Sequence, residues 1–169
     1  MKNEMEKKEF LGFFRAEVID NEDPLDSGRV KIRVIPFMEE TKENSLPWAI
    51  PMTPYGGSED KGIFFIPDKA DVVWVFFENG DILMPVWFGA SNFKKSIPSE
   101  AKGNPANKVI KTKEFTIEIN DKDKKLVISA KTPDGIIEIG NGAVKQSCNN
   151  FPNCLFTGVP HSTTPNVKV

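Results

Sequence analysis

The chain has 169 residues, enough for one domain or a small domain with an appendage, and a formal net charge of −2. Its isoelectric point near 5.6 gives no electrostatic footprint for nucleic acid or an anionic membrane, so phosphate binding is disfavoured. Met1 to Glu9 is charged without an apolar core of signal-peptide length, and no stretch reaches the ~20 apolar residues of a transmembrane helix, so a soluble protein made in a cytoplasm is expected.

Helical periodicity is nearly absent, and Pro and Gly recur at short intervals, which predicts an all-β chain. After an N-terminal tail over 1–9, Phe10 to Asp20 reads as a first strand. Asn21 to Gly28 is a turn in which Asp23-Pro24 and Gly28 are expected to fix the first hairpin and the barrel register, Gly28 through a positive φ. Arg29 to Ile35 is a second strand, with Val30, Ile32 and Val34 on one face and Arg29, Lys31 and Arg33 on the other. That cationic face is expected to be solvated or paired between subunits.

A polar loop over 39–45 leads to Leu46-Pro47-Trp48-Ala49 and then to Pro51–Gly57, too rich in Pro and Gly for regular structure. Val72 to Phe77 has no polar face: Val72, Trp74 and Phe76 point one way, Val73, Val75 and Phe77 the other. Both faces must be covered, and a partner subunit is the expected cover of whichever set turns outward. The next apolar run is joined through Glu78-Asn79-Gly80-Asp81, the signal of a hairpin turn with positive φ at both central residues. About five short strands in ~80 residues suggest a small closed barrel of the OB type.

Ser91 to Lys108 reads as a linker. Beyond it, Phe115 to Asn120 alternates strictly, Lys125 to Ala130 forms another strand and Ile136 to Ile139 a third. A meander of this size is marginal in water by itself, so identical chains are expected to share a core, drawn from Phe115, Ile117, Ile119, Leu126, Ile128, Ile136 and Ile137, with either Ile136 or Ile137 facing out.

The stretch Ala16-Glu-Val-Ile-Asp-Asn-Glu-Asp-Pro-Leu-Asp-Ser-Gly-Arg-Val-Lys-Ile-Arg-Val34 resembles the opening of the OB domain in central spike proteins of contractile phage tails, the baseplate assembly protein V group and its VgrG relatives. Leu46-Pro47-Trp48-Ala49, the Gly56-Gly57 loop, Phe65 to Val72, and Phe76 to Asp81 running into Pro85–Gly89 follow in the family's order. The tail is similar to the start of the spike's β-helix, and Cys154 to Ser162 to segments near the spike terminus. The resemblance implies an OB collar over 10–90 and a short intertwined trimeric β-helix or β-prism over 109–169. It also implies a homotrimeric membrane-piercing spike in the tail baseplate of a virion, docked beneath a tail hub protein, helping to pierce the target cell envelope and carrying a PAAR-repeat protein on its C-terminal end. The 91–108 segment is too short for the lysozyme domain of larger hub proteins, and the chain has one histidine where some spikes carry a His-x-His iron site.

No catalytic, cofactor-binding or metal-binding residue is expected. Cys148 and Cys154 can pair or remain thiols, and they lack the partners of a four-ligand zinc site. Three copies of His161 could meet a metal on a threefold axis, but plain surface is the preferred reading. Ser162 beside His161 makes no triad, and Glu114, Glu118 and Glu138 read as the wet face of alternating strands. The aromatics Phe64, Phe65, Trp74 and Trp87 could stack on bases in an OB module for single-stranded nucleic acid or peptide, the alternative function, but read first as core and interface. A peptidoglycan-cleaving hub enzyme rests on family association alone.

Overall fold

A computed structural model of the chain describes residues 9–92, 96–131 and 135–140, together with the backbone of 143–148. The chain divides into two units, 1–93 and 94–169. The described residues form strands and short 3-10 turns, with no α-helix among them.

The first unit holds β1 (Phe14–Asp20), β2 (Val30–Val34), β3 (Trp48–Pro51), β4 (Val72–Phe77) and β5 (Pro85–Ala90). They close into a barrel in the order β1-β2-β3-β5-β4, in which β1 pairs with both β2 and β4 and the β3–β5 pair is parallel. This is the five-stranded OB arrangement. Closure follows from the alternation on each strand. Val30, Ile32 and Val34 from β2, Val73, Val75 and Phe77 from β4, and Ala16 and Val18 from β1 all turn inward and are buried. Trp87 joins them and donates its indole N–H to the Gly28 carbonyl at 3.3 Å. An aromatic cluster of Phe10, Phe14, Phe37 and Phe77, with ring centroids 5.3–5.8 Å apart, packs against this core.

Two boundaries in the barrel differ by more than one residue from those read in the sequence. β1 starts at Phe14 rather than Phe10, because Gly12 at φ +100 interrupts the extended run and Phe10 instead donates its N–H to the Gly80 carbonyl at 2.9 Å. The β4–β5 connection does turn at Asn79 and Gly80, at φ +52 and +68, with Asp81 N–H bonded to the Glu78 carbonyl at 3.0 Å. It does not enter β5 at once. Leu83 N–H caps on the Asp81 carboxylate, Met84 N–H bonds the Asp81 carbonyl, and the ladder resumes only at the Phe77–Pro85 pair.

The second unit is an antiparallel meander of β6 (Asn107–Lys111), β7 (Phe115–Asn120), β8 (Lys125–Ala130), β9 (Gly135–Gly140) and β10 (Ala143–Cys148), each strand paired with the next. The stretch 91–108 contains a 3-10 turn over Ser99–Ala101 and the first residues of β6. Asn107 Nδ2 donates to the Glu100 carbonyl at 2.9 Å and Lys111 pairs with the Glu100 carboxylate, so this turn is tied to β6.

Candidate assembly surfaces

The β1–β2 connection is organised by one carboxylate. Asp23 accepts the N–H of Leu25 (3.0 Å), Ser27 (2.9 Å) and Arg29 (3.2 Å), and receives the Arg29 guanidinium at 3.0 and 2.6 Å. The Arg29 guanidinium, helped by the three N–H donors, holds the Asp23 carboxyl well below the usual carboxylate range. Gly28, in the same turn, has φ +71 and lies under the ring of Phe64.

Two of the three cations on this face, all partly exposed, have hydrogen-bond partners within the chain. Arg29 is committed to Asp23, and Arg33 donates to the carbonyls of Met38, Glu39 and Thr41 at 2.9–3.2 Å. Lys31 lies 5.0 Å from the Trp48 ring centroid and Arg29 5.5 Å from it. Self-contained charge of this kind leaves the β2–β3 wall without the basic groove that single-stranded nucleic acid requires.

The β4 alternation assigns its two faces. Val73, Val75 and Phe77 fill the barrel, so Val72, Trp74 and Phe76 turn outward. Trp74 stands opposite Phe88, and Phe76 opposite Val86, which in turn neighbours Ile50 on β3. Phe13 packs edge-on against Phe88 and Phe76 at 5.4 and 6.1 Å, and the Arg15 guanidinium stacks on Trp74 at 5.0 Å. Phe13 is 65 % exposed, Ile50 44 % and Met52 50 %, so the outer face is apolar where β4, β5 and β3 adjoin, while β1 presents Arg15 and Glu17 beside it.

Residues 14–91 match the type VI secretion system/phage-baseplate injector OB domain family. This chain carries an injector OB domain. The match spans the whole closed barrel, from the first residue of β1 to the residue after β5, and places the first unit in the structural machinery of baseplates and injectors. No curated protein matches the chain.

Beyond the injector OB domain, register sorts the meander into two unlike faces, because directly opposed residues share a face. Ile110, Ile117, Ile128 and Ile137 form one cross-strand row, and Ile119, Leu126 and Ile139 the next; Phe115 and Ala130 extend the same face. The opposite face carries Glu118, Lys125 and Glu138, with Lys125 Nζ 2.6 Å from the Glu138 carboxylate. Ile137 thus belongs to the apolar face and Ile136 to the polar one. Of the seven residues expected in a shared core, six lie together on the apolar face and Ile136 does not. Sequence reading missed Ile110 and Ile139, which the same alternation carries.

Phe64 and Phe65, read first as core or interface, are not core: both are more than half exposed in the loop before β4. Glu118 and Glu138 lie on the polar face as the alternation predicts. The side chain of Cys148, and Cys154, His161, Ser162 and the segment 160–169, lie outside the described residues.

Proposed function

We propose that this chain is the central spike of a contractile injection machine and works as a homotrimer. Its OB collar docks beneath the tail hub protein, its meander supplies one wall of a three-walled β-prism, and its C-terminal end carries a PAAR-type tip protein. On sheath contraction the prism carries the thrust to the target cell envelope. The protein resides in the tail baseplate of a virion or of a related injector and does no chemistry.

One observation carries this reading: an apolar face that runs across β6 to β9, with Lys108 at its β6 edge, in the same chain as an injector OB domain. Ile110, Phe115, Ile119, Ile128, Ile137 and Ile139 are each between 38 and 57 % exposed. Together they offer on the order of 500 Å² of apolar surface, at the upper end of what monomers leave in water. Three copies facing inward convert that surface into a core, while Lys125 and Glu138 remain in solvent. A sheet stiffened in this way suits a part whose function is mechanical, because it resists bending and dissociates slowly.

Unheated detergent electrophoresis tests the reading. A band at the trimer position that collapses to monomer on boiling is expected; a monomer band before heating, with a monomer in native buffer, overturns it.

A further inference from the structure

The closed barrel has two ends of different chemistry. At one end β1, β3 and β5 finish and β2 and β4 begin, and there Ser91 donates its N–H to the Val72 carbonyl at 2.7 Å as the chain leaves the barrel. Asp20, Glu22 and Asp23 at that end are paired with Lys69 and Arg29.

The opposite end is built from the segment before β1, the β2–β3 connection and the β4–β5 connection. Phe10 knits the three together: its N–H bonds the Gly80 carbonyl, and its ring packs edge-on against Phe37 and Phe77 at 5.3 and 5.8 Å. Leu11, Phe37, Leu83 and Met84 are between 43 and 75 % exposed there. They offer on the order of 400 Å² of apolar surface, a size that marks interaction sites. The same connections carry Glu39, Glu40, Glu43 and Glu78, whose carboxylates have no ion pair or hydrogen bond among the described residues. Lys42 is the only cation in the sequence of 35–47 and 78–84. Arg33, by donating to the Met38, Glu39 and Thr41 carbonyls, fixes the backbone that bears the first two glutamates.

We infer that this acidic, apolar end of the barrel is the docking face for the protein above the collar, and that the partner presents apolar side chains rimmed by Lys and Arg; this rests on the spike reading above, in which that protein is the tail hub. Charge decides the occupant. A second copy of the same face would set glutamates against glutamates, and nucleic acid or an anionic membrane would meet the same repulsion. A protein with a basic rim instead meets unpaired carboxylates at the edge of an apolar centre, the division into core and rim on which specific interfaces are built. Because Arg33 holds the acidic loop in place beforehand, docking loses little freedom there.

Binding of the full chain to the purified hub protein of the same machine, followed by biolayer interferometry over a range of salt concentrations, tests this. Glu39→Lys/Glu40→Lys is expected to slow association about tenfold at low salt, with the difference closing as salt is raised. Leu83→Ser should speed dissociation about tenfold. Leu25→Ser and Phe65→Ser, exposed at the other end of the barrel, should leave both rates unchanged. Melting temperatures and masses equal to those of the wild type show that each variant is folded and assembled. Binding lost in Leu25→Ser or Phe65→Ser and kept in Leu83→Ser and the charge-reversed protein overturns the inference and leaves the spike reading standing. Faster association of the charge-reversed protein means an acidic partner and also overturns it. A wild-type chain that does not bind the hub removes the spike reading itself, so the two failures are told apart.

Discussion

The ring of Phe64 lies on Gly28 so closely that a Cβ at Gly28 would stand 1.9 Å from Phe64 Cζ. Gly28 also sits at φ +71, which costs a non-glycine residue about 1–3 kcal/mol. Gly28→Ala therefore combines backbone strain with displacement of an aromatic ring from the turn that sets β1 against β2. It should lower the urea midpoint more than Gly57→Ala, whose glycine has φ +88 but open space around it. Adding Phe64→Ala to Gly28→Ala should recover the steric share and leave the backbone share, which a double-mutant cycle reads directly.

The Asp23 carboxylate predicts an acid limb in stability. Its folded pKa lies below the ordinary 3.8, so its contribution is fully present above that value and is lost as pH falls toward the folded one. Asp20, held low by Lys69, and Glu100, held low by Lys111, act in the same direction. Melting temperature should be flat above about pH 5 and fall below about pH 4. Asp23→Asn should be less stable at pH 7 and show a shallower acid limb, without abolishing it, because two other carboxylates contribute. A wild-type melting temperature unchanged from pH 5 to pH 3 would contradict this.

Neighbours on β2 separate core from surface. Ile32 is fully buried, and Ile32→Ala should cost about 2–5 kcal/mol through lost burial and the cavity left behind. Lys31, one residue earlier, lies over the Trp48 ring and faces Asp20 across the β1–β2 pair, and Lys31→Ala should cost under about 1 kcal/mol. Denaturant midpoints at unchanged m-value give both numbers.

Sequence patterning carried the barrel further than it carried the surfaces. Alternation in Val30–Val34 and Val72–Phe77 gave strand positions and the two sets of faces, because period-2 burial is a local property. Which β4 set turned inward was not local: it is decided by the pairing of Phe14 with Val75 and Trp87 with Val75 across the closed sheet. The Asn79-Gly80 turn was readable from its chemistry, but the extra residues before Pro85 were not. They are held by Asp81, whose carboxylate and carbonyl bind later N–H groups that an apolar Ile82-Leu83-Met84 run conceals. The fate of Arg29 and Arg33 was also hidden, since carboxylate and carbonyl acceptors in turns have no periodic signature.

In the meander, Ile136 and Ile137 are adjacent in sequence and opposite in face. Ile137→Asp places a charge on the apolar face and should abolish assembly. Ile136→Asp adds one to the face that already carries Glu138 and should leave the oligomer intact. Size exclusion of the two variants side by side separates them, and equal elution positions would refute the face assignment.

The most direct test of the spike reading is the mass of the full chain by light scattering coupled to size exclusion. A single species at three times the 18.9 kDa of one chain is the predicted result. A species at 18.9 kDa across the concentrations of an ordinary run would contradict the shared core, and with it the proposal that this chain is a spike.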